Sequence, residues 1–280
     1  MKNNSKENKE TKTDMSFLEH LEELRWHLVR STMAVLILAL VAFLFKGFIF
    51  DNIIFGPSQT DFPTYRAFCK ISQSFGMNSF CFEEMPFRFQ NLNMMGQFSA
   101  HIWTSIYAGI ILGFPYILYE LWRFIAPGLK KSERRSSRGF IFVASLLFFL
   151  GVLFGYYMVA PLSVTFFGTY QVSATVINDF ELGSYISMVR TSVLASGIMF
   201  ELPIIVYILT KIGLLTPEIL RKYRKIAIVL ILVLSAIITP PDVASQVIVS
   251  IPIVILYEVS IFISKMVIKK EKREAHERSR

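Results

Sequence analysis

Phe124-Ile125-Ala126-Pro127-Gly128-Leu129-Lys130-Lys131-Ser132-Glu133-Arg134-Arg135 lies between two long apolar runs. The stretch is too basic to enter a bilayer and too close to apolar segments to leave its surface. Proline fixes φ and glycine tolerates positive φ, so Pro127-Gly128 reads as a turn. One carboxylate, Glu133, stands among the cations Lys130, Lys131, Arg134, Arg135 and Arg138. These residues alone leave two readings of it. It is a solvated acid paired with its neighbours, or a carboxylate held at a membrane face to bind a cationic ligand.

A basic turn between apolar runs is a connection in a polytopic protein, and the composition agrees. Of 280 residues, 53% are hydrophobic and 26 are Phe, more than a soluble domain of this length uses. About 20 apolar residues cross a bilayer core as a helix. Six runs approach or exceed that length: 28–50, 98–121, 139–160, 187–210, 226–238 and 243–263. The predicted fold class is therefore an all-α integral membrane protein of six transmembrane helices. One membrane domain, 15–264, sits between a polar tail, 1–14, and a basic tail, 265–280. The first tail lacks the apolar region and cleavage site of a signal peptide and reads as disordered. Pro161 is expected to end span three. The fifth run holds only about 13 apolar residues, roughly 20 Å against a core of about 30 Å. Such a short span thins the bilayer or packs on partner helices.

The net charge of +8 would suit nucleic acid only if it gathered on one face. Instead, all but five of the 29 Lys and Arg fall in segments on the side of the termini. The five are Lys46, Arg66, Lys70, Arg88 and Arg190. The positive-inside rule then places both termini in the cytoplasm.

Ser16-Phe17-Leu18-Glu19 has the form of a helix capping box. Beyond it Phe17, Leu21, Leu24 and Leu28 make one apolar stripe, with Glu19, Glu23, Trp26 and Arg30 opposite. That pattern predicts an amphipathic helix on the inner membrane surface, leading into span one. His20 and His27 read as interfacial residues. The four His make no metal-ligand pattern with Cys or carboxylates, and no cofactor is implied. The chain shows no Gly-rich phosphate loop, no His-Glu-x-x-His and no Ser/His/Asp arrangement, so an enzyme is not expected.

Glu201, in Phe200-Glu201-Leu202-Pro203, is the most informative single residue. A carboxylate inside a span costs several kcal/mol unless it is neutralised, hydrogen-bonded or facing water. It marks a functional spot, or it is a protonated acid bonded within the bundle. Pro203 frees a backbone carbonyl one turn earlier and predicts a local polar notch. Glu258 and Glu120 are weaker candidates, with Glu120 expected to snorkel. Gln246 is placed to hydrogen-bond another transmembrane helix. The segment 51–97 is aromatic enough to form an ordered outer cap and holds Cys69 and Cys81. In an oxidising compartment these form a disulfide worth roughly 3 kcal/mol for a loop of this size; otherwise they are two free thiols.

Four segments resemble the TatC family, the polytopic subunit of the twin-arginine (Sec-independent) protein translocase. They are His20-Leu21-Glu22-Glu23-Leu24-Arg25, Phe124 through Arg135, Phe200-Glu201-Leu202-Pro203, and Thr239-Pro240-Pro241-Asp242-Val243-Ala244-Ser245-Gln246. They occur in family order across residues 16–264. The resemblance implies a cup-shaped bundle in a bacterial inner membrane that receives folded proteins bearing paired-arginine signal peptides. It implies that Glu23 and Glu133 hold those arginines, with Arg25 and Phe124 in the same patch. Glu22 is a second acid beside Glu23, where a member often has an apolar residue, so either can contribute. Glu201 would be the polar spot on the concave face. Thr239 and Gln246 would lie where a single-span subunit of the TatA or TatB type docks, in an oligomeric assembly surrounded by lipid. The first outer segment is longer than usual, and its cysteines are not a family hallmark. Two rival readings stand beside this one: a secondary transporter using Glu201 as a proton or cation site, and a scaffold whose cytoplasmic acids are merely solvated.

Overall fold

Backbone polar groups have no water to bond in a bilayer core, so apolar segments of this length fold as helices. The computed structural model describes residues 17–74, 76, 81, 84–85, 87–125, 137–173, 175–176 and 178–278. Helix α1, Phe17–Leu44, runs unbroken from the expected surface helix into the first span. The sequence carries that span to residue 50, but α1 stops at Leu44 and a π-helical turn, Phe48–Ile54, follows. The capping box at Ser16 and the tail 1–14 lie outside the described residues. Leu36, Ile37, Leu40 and Leu44 are exposed on α1, as a lipid-facing surface requires.

The other face of α1 packs on α3, Gly96–Ile125. A Cβ built on Gly109 would lie 2.6 Å from the Val35 carbonyl oxygen and 2.8 Å from the Ala39 nitrogen. Only glycine allows that approach, which brings two helix backbones into contact. The same device joins α4, Ser137–Phe154, to α6, Leu182–Phe200. There a Cβ on Gly151 would meet the Ser196 carbonyl at 2.5 Å. Between lipid-solvated helices small residues earn their place this way, because packing replaces the hydrophobic drive.

Pro161 does not end the third span. The helix passes from α4 through a π-turn, Gly155–Val159, into α5, Ala160–Thr169, with Pro161 in its first turn. A proline has no N–H, so the carbonyl one turn back, at Tyr157, loses its partner. The Thr64 hydroxyl donates to that carbonyl, and Tyr65 Oη reaches the Pro161 carbonyl at 3.3 Å. Thr64 and Tyr65 belong to α2, Pro63–Ser74, in the outer segment. Pro203, by contrast, breaks the fourth span: α6 ends at Phe200 and α7, Leu202–Lys211, begins after Glu201.

Helix α8, Pro217–Lys222, starts as its sequence predicts, with the Thr216 hydroxyl accepting from Ile219 N and Pro217 in the first turn. Helix α9, Arg224–Ile238, has 15 residues, about 22 Å. Five helices of the described residues are long and apolar enough to cross a membrane: Leu21–Leu44, Gly96–Ile125, Gly139–Thr169, Leu182–Lys211 and Val243–Glu274. Helix α9 is not among them. The last helix, α10, is Val243–Arg278. Asp242 Oδ2 accepts from Ser245 N at 2.7 Å to start it, a bond that holds the Asp242 carboxyl below its usual range. The expected C-terminal tail is helical up to Arg278, a continuation of α10 with spaced pairs such as Lys270–Glu274 at 4.0 Å.

The described residues between α1 and α3 and between α5 and α6 pack together as a cap on the bundle. Strands β1, Arg88–Gln90, and β2, Asp179–Glu181, pair in parallel, with Phe89 opposite Phe180. Phe87 stacks on Phe180 at 4.5 Å and Phe89 meets Tyr185 at 4.7 Å. The Tyr65 hydroxyl donates to Pro57 O at 2.7 Å, and burial pushes its phenol pKa up. Tyr185 donates to Ile54 O at 2.8 Å. Cys69 and Cys81 are joined by a disulfide, with Cα atoms 4.8 Å apart.

Two outcomes follow. Gly109→Leu should cost at least about 1–3 kcal/mol by overpacking, read as a lower unfolding temperature in detergent. Gly139→Leu, where an added Cβ meets nothing within 4 Å, should leave it unchanged. Reducing the Cys69–Cys81 bond should lower cap stability by about 3 kcal/mol, read as faster proteolysis of 51–97; equal proteolysis with and without reductant would contradict it.

Candidate functional site

Antiparallel pairing of α1 and α3 decides which residues meet. His101, near the start of α3, stacks on Phe43, near the end of α1, at 3.9 Å. Gly109 meets Val35 and Ala39 in the middle. The last turns of α3 therefore sit beside the first turns of α1, and Glu22, Glu23 and Arg25 share one end of the bundle with Phe124.

At that end Glu22 Oε1 pairs with Arg25 at 3.7 Å, both side chains 66% exposed. Exposed pairs of this kind contribute little and are easily exchanged. The Arg25 guanidinium lies 5.5 Å from the Trp26 ring centroid. Glu23 is exposed and makes no ion pair among the described residues. Phe124 is half-buried and meets the His27 ring edge-on at 6.2 Å. Glu133 lies in the 126–136 connection, outside the described residues.

Beneath this surface lies a pair that sequence reasoning did not assemble. Glu120 is 1% exposed and does not snorkel. Its Oε2 lies 2.5 Å from His27 Nδ1, and Arg30 and Arg123 stand 3.8 and 3.9 Å from its oxygens. His27 is likewise buried. The pair ties α1 to α3 and sets the ring against which Phe124 rests. A signal was present in the sequence: Gly109, Gly113 and Glu120 share one face of α3 at 100° per residue. An acid on the face that small residues reserve for a close neighbour faces that neighbour.

The other candidate positions are separate. Glu201 sits at the break between α6 and α7, 7% exposed, and both carboxyl oxygens are buried without a hydrogen-bond partner among the described residues. Pro203 puts it there by forcing the helix to restart. Gln246 Nε2 donates to Leu232 O at 3.0 Å, and the Thr239 hydroxyl donates to Ser235 O at 2.8 Å. Both therefore bond within the α9–α10 hairpin. Among the described residues no group of three or more His, Cys, Asp or Glu could hold a metal.

Residues 19–252 match the family model described as Sec-independent protein translocase protein (TatC). A TatC protein of Blattabacterium sp. subsp. Periplaneta americana is 45% identical over 94% of this chain and 100% of its own length. One from Aquifex aeolicus is 37% identical over 92% of this chain and 98% of its own. A solved crystal structure of twin arginine translocase receptor TatC is 36% identical, covers 89% of this chain and 99% of its own, and superposes with a TM-score of 0.67. A second, in the detergent DDM, gives 0.69 at the same identity. Family match, full-length relatives and fold agree, and the chain belongs to the TatC family of multi-pass proteins of the Sec-independent protein translocase.

Proposed function

We propose that the α1–α3 end is where this protein receives paired-arginine signal peptides, acting as the receptor of the translocase and catalysing no reaction itself. The observation that supports this best is Glu23, an exposed carboxylate without an ion pair among the described residues, beside Arg25 and at the same end as Phe124. The connection carrying Glu133 leaves α3 at that end, one residue after Ile125. A guanidinium fork matches a carboxylate with two parallel bonds, and a lysine ammonium does not. Glu22 is already paired with Arg25, so it serves as the second acid and exchanges partners when a peptide arrives. Glu201, Thr239 and Gln246 belong to a different task in this reading, docking a single-span subunit of the TatA or TatB type. The buried carboxyl of Glu201 favours a polar group brought by that subunit. Helix α9 is read as the fifth of six spans, both termini as cytoplasmic, and the membrane as the bacterial inner membrane. The transporter reading of Glu201 gives way, since likeness to a translocase protein along that protein's full length covers 94% of this chain.

The test is photo-crosslinking from a probe replacing Leu129. A signal peptide with Arg-Arg should crosslink, one with Lys-Lys at least about tenfold less, a difference of about 1.4 kcal/mol. Glu133→Ala and Glu23→Ala should each abolish the preference. Equal crosslinking of both peptides would leave only a generic charged surface.

The His27–Glu120 pair yields a second expectation. Removing one member of a buried pair costs about 3–5 kcal/mol, so Glu120→Ala should lower both the unfolding temperature and peptide affinity. Glu120→Gln keeps a hydrogen bond to His27 and should retain most of both. Identical behaviour of the two variants would show that the pair does not position the site.

A further inference from the structure

The α9–α10 hairpin carries charge deeper than a bilayer normally accepts. From the Thr239–Asp242 turn, α9 climbs about 22 Å to Arg224, and α10 climbs about 24 Å to Glu258. There Arg224 Nε and Glu258 Oε1 pair at 2.6 Å, both side chains part-exposed. On the reading of α9 as a span, with the Thr239–Asp242 turn at one face of a hydrocarbon core about 30 Å thick, this pair sits roughly 6–8 Å short of the other face. Polar matter must reach down to it, or the charges stand in acyl chain.

The geometry points to what reaches it: we infer that this recess binds the phosphate of an anionic glycerophospholipid. A cavity of about 500 Å³ opens beside the pair, lined by Arg221, Arg224, Glu258, Ile261, Phe262 and Lys265. Three cations face it against one carboxylate, an excess of two positive charges. The ion pair engages Arg224 through Nε, which leaves the outer edge of its guanidinium fork to meet phosphate oxygens. Arg221 and Lys265 are exposed and make no ion pair among the described residues. Lys265 stands seven residues beyond Glu258, about 10 Å further along α10 and so at headgroup height. Between the Glu258 and Lys265 levels of α10, Phe262 is 61% exposed and Ile261 is buried, apolar surface beside the cations for glycerol and the first acyl carbons. Basic side chains with apolar surface beside them, set between transmembrane helices, are the pattern that captures an acidic lipid. A zwitterionic headgroup fits less well, because its ammonium would enter a field that is already positive.

The site is independent of peptide recognition, and thermal unfolding of the purified full chain in a neutral detergent tests it. Dioleoyl phosphatidylglycerol at about a hundredfold excess over its Kd should raise Tm by about 5 °C or more. Dioleoyl phosphatidylethanolamine and inorganic phosphate should each give less than half of that. The variant R221Q/K265Q should lose most of the phosphatidylglycerol shift, and each single substitution part of it. The variant K269Q/K270Q removes the same charge further along α10 and should keep the shift. Equal loss in both double variants would mean bulk charge attraction, and equal shifts with phosphatidylethanolamine would mean a generic lipid effect. An equal shift with inorganic phosphate would mean an anion site without lipid. Any of these three results overturns the proposal. Because R221Q and K265Q are surface changes, their Tm without lipid should match that of the unaltered protein.

Discussion

A carboxylate sealed between two helices has to be neutralised by the partner helix, and that requirement organises the α1–α3 pair. Glu120 is almost fully buried, and His27 meets it at 2.5 Å. The contact works only if the helices are antiparallel and close, which Gly109 permits by letting Val35 and Ala39 approach its bare Cα. One glycine and one buried pair thus determine that the beginning of α1 and the end of α3 share a surface. The residues suited to recognising a cationic peptide are gathered there by the same two contacts. The proposed recognition surface and the helix packing therefore depend on the same two contacts.

Proline shows the second constraint, that a freed backbone carbonyl in an apolar span needs a new partner. At Pro161 the partner comes from outside the span: Thr64 in the cap takes the Tyr157 carbonyl, and the helix continues to Thr169. At Pro203 the helix is interrupted instead, and the interruption holds a glutamate whose carboxyl oxygens are buried. One proline has become part of a rigid joint between cap and bundle. The other sets a buried carboxylate at a one-residue interruption of an apolar helix.

How much of this the sequence showed depends on the range of the cause. Hydropathy and charge asymmetry act locally along the chain, so helical class, the shortness of α9 and the cap at Thr216 were legible. The resemblance of four motifs was legible for the same reason. Pro161 was misread as a stop because its rescue comes from Thr64, 93 residues before the carbonyl it serves. Glu120 was misread as snorkelling because its partner lies 93 residues away on another helix. Its face, shared with Gly109 and Gly113, held the clue. The basic residues after 264 looked like a tail because charge was weighed without helix propensity; Lys, Glu and Arg continue a helix well. Gln246 was read correctly as a hydrogen-bonding group of a membrane helix, but periodicity cannot say which carbonyl accepts.

The length of α10 has a mechanical meaning. Its 36 residues extend about 54 Å, and a bilayer core accounts for only about 30 Å of that. Roughly 24 Å stands clear of hydrocarbon as a rigid arm, braced about halfway along by Lys211–Glu271 at 3.5 Å. A tilt of about 10° at the hairpin would swing the arm's tip by about 4 Å relative to its base. Small changes in how the short hairpin sits in the membrane are thereby magnified into movement in the aqueous phase, where they can be felt by anything resting against the arm.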